Sequence, residues 1–264
     1  MTDPVPSLDA VRARIDAVDD ELLRLLDERA ALAASVAEAK RAAAGAHPPA
    51  FGLRAARETQ VIRRLLARPH SAASTSLIVR LWRELVSESL KLQGPFSLSA
   101  FGGRDPARIA ELARLRFGAA PPLRMVDTAE AAIAGAKHLG GVAILPLDGP
   151  APWARLLAEP SLRVFAVLPC LNAWGGPAAL AAAAVPIEPS GADQTLWVTD
   201  ATGPAEAIVE ALGALGLAAA PLAEGGGLRL FALPGFVEAH DERLKQAPGR
   251  LTGVIGSAPR PFDL

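Results

Sequence analysis

The sequence predicts a multidomain protein, with an all-α segment of three helices over residues 7–94 followed by an α/β domain over residues 96–264. Three observations predict it. Residues 8–44 contain neither glycine nor proline and carry apolar residues at steps of three and four, the period of one helix face. Two further helical stretches follow, closed by Gly94 and Pro95, a pair that ends helices. Past that break short apolar runs alternate with helical stretches, which is the order of an α/β domain.

The first helix starts at the Pro6 and Ser7 signals and spans residues 8–44, a length that needs a partner surface along most of it. Residues 45–52, with two glycines and two prolines, form a loop. The second helix covers residues 54–67 with Val61, Ile62, Leu65 and Leu66 apolar, and residues 69–75 break the chain again. The third runs over residues 76–93 on Ile78, Leu81, Trp82, Leu85, Val86 and Leu90. In the second half, strands are expected at 96–101, 123–126, 142–147, 163–168, 194–199 and 228–233. Helices are expected at 106–117, 128–137, 178–184 and 204–215, the first with Asp105 as cap and Pro106 in its first turn. Gly225, Gly226 and Gly227 read as a hairpin turn.

The bulk numbers narrow the function. With 51% apolar residues and a net charge of −1, a sizeable core is available and global attraction to nucleic acid is not expected. One cysteine, Cys170, excludes an internal disulfide framework and fits a reducing compartment. The first residues lack the basic and apolar regions of a signal peptide, and Pro169, Gly175, Gly176, Pro177 and Pro186 interrupt the long uncharged run 164–187. Neither a membrane span nor an export signal is expected, so the expected compartment is the cytoplasm.

The seam of the first helix is Leu8, Val11, Ile15, Val18, Leu22, Leu25, Arg29, Leu32 and Val36. A guanidinium inside an apolar stripe needs an anion. Lys40 lies within about 20° of the same face, roughly 16 Å further along the axis, so the two cations could hold a small anion between them. Arg12 points about 100° away on the helix wheel and suits the pocket of a second copy. Two short helices cannot cover so long an apolar face, which predicts a homodimer packed through the N-terminal helices. Side by side, the three helices collect Arg29, Lys40, Arg57, Glu58, Ser89 and Gln93. That set offers three cations, one carboxylate and two neutral hydrogen-bonding groups, with no metal-ligand cluster. Such a site suits a small dianion carrying a hydroxyl and works by electrostatic preorganisation, without an obvious nucleophile.

Arg12, Asp19, Leu22 and Leu23, Arg29, Lys40, Arg57 and Glu58, Glu88 and Ser89, and Gln93 together resemble the all-helical bacterial chorismate mutase family, over roughly residues 7–94. The resemblance implies an intertwined dimer with two composite sites and a Claisen rearrangement of chorismate to prephenate without a cofactor. It implies that Arg29 and the second copy's Arg12 clamp the carboxylates, and that Lys40 and Gln93 donate to the ether oxygen. Glu58 would accept from the ring hydroxyl, with Arg57 and Ser89 in support. One position departs: the family usually has an aspartate where this chain has Arg54.

Residues 96–199 resemble a prephenate dehydratase module. Ser99 to Arg104 with Ile109 and Ala110 is similar to its opening strand and helix, and residues 142–149 stand where it has a Val-Pro-Ile-Glu-Asn-Ser segment. The Glu-Asn-Ser triplet is missing, and only Thr195 matches its Thr-Arg-Phe motif, so the resemblance implies a degenerate, non-catalytic relative. Residues 194–237 resemble a small amino-acid-sensing regulatory module. The rival functions are an isochorismate pyruvate lyase on the same helices, a bifunctional mutase–dehydratase, and a metabolite-sensing regulator.

Overall fold

The computed structural model describes residues 6–44 and 51–263. Packing divides the chain into two compact units, residues 1–49 and 50–264. The division falls inside the 7–94 segment, because the second and third helices pack within the larger unit.

The smaller unit is one helix, α1 (Leu8–Ala44). Ser7 caps it, its Oγ accepting from the Ala10 amide at 3.2 Å. On the outer face Arg24 pairs with Glu21 at 2.7 Å and Glu28 at 3.1 Å, the i, i+3 and i, i+4 neighbours of a helix. The seam residues Leu8, Val11, Ile15, Val18, Leu22, Leu25, Leu32 and Val36 are all exposed, Leu8 by 64% and Leu32 by 62%. Of the loop expected at 45–52, residues 45–50 lie outside the described residues.

The larger unit opens with α2 (Ala55–Leu66) and α3 (Thr75–Gln93). It continues through β1 (Ser97–Phe101), α4 (Pro106–Phe117), β2 (Leu123–Val126), α5 (Ala129–Ala136), β3 (Gly141–Pro146), β4 (Arg163–Leu168) and β5 (Ala179–Ala183). Then come β6 (Asp193–Thr199), α6 (Ala205–Ala214), β7 (Ala220–Gly225), β8 (Leu228–Pro234) and β9 (Thr252–Pro259). The nine strands among the described residues form one sheet in the order β2-β1-β3-β5-β4-β9-β6-β8-β7. β1 runs parallel to β2 and β3, while β5 is antiparallel to β3 and β4. A single parallel register pair, Val164 with Gly256, joins β4 to β9. A side chain at Gly256 would run into the Val164 backbone, and its φ of +155° also favours glycine.

The run 178–184, expected as a helix, is instead β5. Gly175, Gly176 and Pro177 before it and Pro186 after it leave too few residues for a stable helix. Alanine's helical advantage over ordinary residues is at most about 0.7 kcal/mol per position. Against that, every residue of Ala179–Ala183 is buried, and as a strand the run fills two hydrogen-bond ladders between β3 and β4. Small side chains fit a centre strand covered on both faces. β9 lies beyond the expected strands; Gly253, Gly256 and Pro259 interrupt its apolar pattern, although its pairing with β6 spans Asp193 to Thr199. The triple glycine is the expected hairpin: Gly225 faces Leu228, and Gly226 and Gly227 take φ of +58° and +76°, the pattern a two-residue turn requires. The last part, β6-α6-β7-β8-β9, runs on to Pro259 with spatial order β9-β6-β8-β7. It is therefore longer than the 194–237 segment marked in the sequence.

α2 and α3 are cemented to this sheet unit. Ile62 and Val79 pack with Cys170, Leu171 and Phe262. Leu53 and Leu90 enter the cluster of Phe96, Leu112, Phe117 and Phe165. Arg63 of α2 donates to the Ser190 carbonyl at 3.2 Å, the Ser190 Oγ at 3.0 Å and the Ala192 carbonyl at 2.9 Å. Arg54, the position that departs from the resembled family, pairs with Glu188 at 3.0 Å. Its cation meets a carboxylate of the loop between β5 and β6, a docking contact that an aspartate could not make.

Candidate active site

The candidate residues fall on two units. On α1, Arg12 is exposed and lies 3.7 Å from Asp9. Arg29 is partly buried, and that burial pushes its guanidinium below the ordinary arginine value. Lys40 is exposed near the end of the helix. The order Arg29, then Lys40 three turns on, follows from the unbroken helix between them.

In the larger unit Arg57 is exposed while its neighbour Glu58 is 7% exposed, since successive helix positions point about 100° apart. Ser89 and Gln93 are partly buried one turn apart on α3. Ser89 Oγ donates to the Leu85 carbonyl at 2.7 Å and Gln93 Nε2 to the Ser89 carbonyl at 3.0 Å. Arg57 and Glu58 thus share a helix turn but face different ways, and Ser89 and Gln93 share one face.

Glu58 sits in an ion cluster that sequence reasoning missed. Its Oε2 accepts from Arg83 Nη1 at 3.1 Å and from Arg116 Nη2 at 2.8 Å. Arg83 and Arg116 are each only 3% exposed. Burial pushes the Arg116 guanidinium down first, the Arg83 cation adds to that, and the Glu58 carboxylate opposes both. Aromatic faces help to hold the charges: Arg116 lies 4.7 Å from the Phe117 ring centre and Arg83 5.7 Å from that of Phe262. Glu58 Oε1 and Arg83 Nε are buried and have no hydrogen-bond partner among the described residues. The signal that picked out Arg29 was present for both arginines. Arg83 lies four residues from buried Val79 and from buried Ser87, and Arg116 four from buried Leu112.

Thr195, matched to the dehydratase motif, is engaged by the backbone of the loop after β8. Thr195 Oγ1 accepts from the Val237 amide at 2.8 Å and donates to the Gly235 carbonyl at 3.0 Å. A crevice of about 230 Å³ opens at the carboxyl ends of β1 and β3, between Gly102, Arg108, Asp148 and Pro177. Ligands favour such a position in open α/β sheets. Of its polar groups Asp105 caps α4 and Arg108 is tied to Glu111 at 2.6 Å and the Trp174 carbonyl at 2.6 Å. Among the described residues no cluster of three or more His, Cys, Asp and Glu could hold a metal ion. No described helix is long and apolar enough to cross a membrane.

Comparison with known proteins singles out the helical segment. Residues 11–94 match the family chorismate mutase type II, and the match leaves residues 95–264 outside it. A bifunctional chorismate mutase/prephenate dehydratase of Pseudomonas aeruginosa is 30% identical over 141 residues, 52% of this chain and 38% of that protein. One from Stutzerimonas stutzeri is 30% identical over 142 residues with the same coverage, and one from Neisseria gonorrhoeae is 34% identical over 91 residues, 34% of this chain and 23% of that one. The alignment with the first two spans 38% of those relatives' length. Among solved structures, a prephenate dehydratase from Streptococcus mutans aligns over 64% of this chain and all of its own at 15% identity and TM-score 0.39. The quorum quenching acylase GqqA aligns over 61% and 94% at 16% identity and the same TM-score. At that score neither likeness carries an argument.

Proposed function

We propose that this chain is a cytoplasmic chorismate mutase of the all-helical type, converting chorismate to prephenate for aromatic amino acid biosynthesis, without a cofactor and as a homodimer through its N-terminal helices. The observation that carries this is the family match over residues 11–94, which takes in Arg12, Arg29, Lys40, Arg57, Glu58, Ser89 and Gln93. The rearrangement needs no proton transfer. Rate must come from holding the reactive conformer and stabilising the polarised transition state. A millionfold acceleration amounts to about 8 kcal/mol, and buried donors to the breaking C–O bond are suited to supply several kcal/mol of it.

The roles are those of the resembled family. Arg29 and Arg12 of the second copy clamp the two carboxylates, and Lys40 and Gln93 donate to the ether oxygen. Glu58 accepts from the ring hydroxyl, supported by Arg57 and Ser89. The dimer is supported by the exposed seam of α1, since a run of exposed apolar side chains along one face marks an interaction surface. The α/β half is proposed to support the mutase, not to dehydrate prephenate.

The test is to incubate the purified protein with chorismate and identify the product by NMR. Prephenate is expected. Arg29→Ala and Lys40→Ala should each lower kcat/KM at least about a hundredfold, and near-normal rates in both would sink the site assignment. Mixing inactive Arg12→Ala and Lys40→Ala protomers should restore activity if sites are composite. A second reading is favoured by the relatives that are themselves bifunctional, with alignments that run past residue 94 in length. Under it the protein would also dehydrate prephenate, and phenylpyruvate in the same spectrum would establish that. No turnover would shift the assay to isochorismate.

A further inference from the structure

Glu58, Arg83 and Arg116 come from three helices, α2, α3 and α4, and only the last belongs to the α/β segment that lies outside the family match. Their arrangement is asymmetric at the carboxylate. Both guanidinium contacts go to Oε2, at 3.1 and 2.8 Å, while Oε1 is buried and accepts from no group among the described residues. A buried acceptor left without a donor carries its full desolvation cost, so a carboxylate buried for stability alone would be expected to fill both oxygens. One oxygen gripped by two cations and the other kept empty is the geometry of an acceptor awaiting a donor. The grip is firm for physical reasons. Charge-assisted bonds are short and directional, and Phe117 and Phe165 rings at 4.7 and 5.8 Å hold the Arg116 guanidinium in place.

We propose that Arg116 is a positioning residue for the mutase reaction: with Arg83 it fixes Glu58 Oε2 and so presents Oε1 to the ring hydroxyl of the substrate. The inference rests on the function proposed above and deepens it. It assigns the α/β half a part in the reaction, since removing Arg116 would leave the carboxylate on one guanidinium and free to rotate. Arg116 touches no substrate and acts through Glu58.

The experiment is a double-mutant cycle on the full-length protein, with kcat and KM for prephenate formation measured for wild type, Glu58→Gln, Arg116→Gln and the double variant. Coupling through one carboxylate predicts that each single change lowers kcat/KM by at least about tenfold and that the double is no worse than Glu58→Gln by more than about threefold. Losses that multiply would mean that Arg116 acts on folding or elsewhere, and would overturn the proposal. If thermal melts show Arg116→Gln unfolded at the assay temperature, Arg116→Lys takes its place, keeping the charge and losing the planar fork. The same coupling is then required. A wild type that makes no prephenate removes the proposed function and this inference with it. An active wild type with independent losses removes this inference alone.

Discussion

Arg83 and Arg116 stand where their helices otherwise bury apolar or small residues, and their cost is met by one carboxylate and three aromatic rings. Two cations on one anion leave a buried excess of positive charge, so the cluster depends on Glu58. Glu58→Ala should destabilise the protein by about 3–5 kcal/mol, as removing one partner of a buried ion pair does. Chemical denaturation checks this, and an unchanged midpoint would mean that the arginines find other partners. A second residue-scale prediction concerns Asp241, which caps the turn Glu242–Gln246. Its carboxylate accepts from the Arg243 side chain at 2.6 and 2.9 Å and from the Arg243 amide at 3.0 Å, holding its pKa at about 2 against the ordinary 3.8. A depressed folded pKa stabilises above the unfolded value, and the contribution is lost as pH falls from about 3.8 through about 2. NMR titration should place the carboxyl midpoint near that value, and Arg243→Ala should move it upward. At this scale Arg29 was legible because a cation broke an apolar seam. Arg83 and Arg116 broke theirs in the same way, but their shared partner is 25 and 58 positions away along the chain. Spacing could flag them without saying what they bind.

Among the elements, α1 is the one whose sequence says most and whose own unit satisfies least. Its 37 residues make a helix of roughly 55 Å with a continuous exposed row of leucine, valine and isoleucine. A charge in the middle of that row separates the possibilities. If the proposed dimer forms through this row, Leu25→Glu should sediment as a monomer and lose the proposed mutase turnover, without a lower helix content by circular dichroism. A variant that stays dimeric would place the interface elsewhere. Helices were the legible elements because their period and their stops are local: Pro106 with the Asp105 cap, the glycine after α4, and the Gly94–Pro95 break all lie within a few residues of what they control. The strands β5 and β9 were not legible for the opposite reason. An alanine-rich run and a glycine-interrupted run carry no alternating pattern, and each becomes a strand through neighbours elsewhere in the chain.

For the molecule as a whole, the segment that resembles a mutase and the unit that packs as a body do not coincide. The family match ends at residue 94, whereas α2 and α3 belong to the compact unit that begins at residue 50. A fragment of residues 1–94 would strip the sheet from Leu53, Val86 and Leu90 and the Glu188 and Ser190 contacts from Arg54 and Arg63. Each large apolar side chain so uncovered forfeits about 1.5–3 kcal/mol. The fragment should melt well below the full chain in calorimetry. Equal melting temperatures would show that the helices carry their own stability. By itself the sequence determined the three helices, the change of pattern after Pro95, the cations of the first helix, and from their spacing the kind of chemistry to test. All of these are written in periods and signals that span a few residues. Only the tertiary structure decided the sheet order, the alanine-rich strand β5, the pairing of Arg54 with Glu188 and the two arginines that hold Glu58. Each of these joins residues whose positions in sequence give no hint of their meeting, because what brings them together is burial of the whole chain and not the local preference of any part.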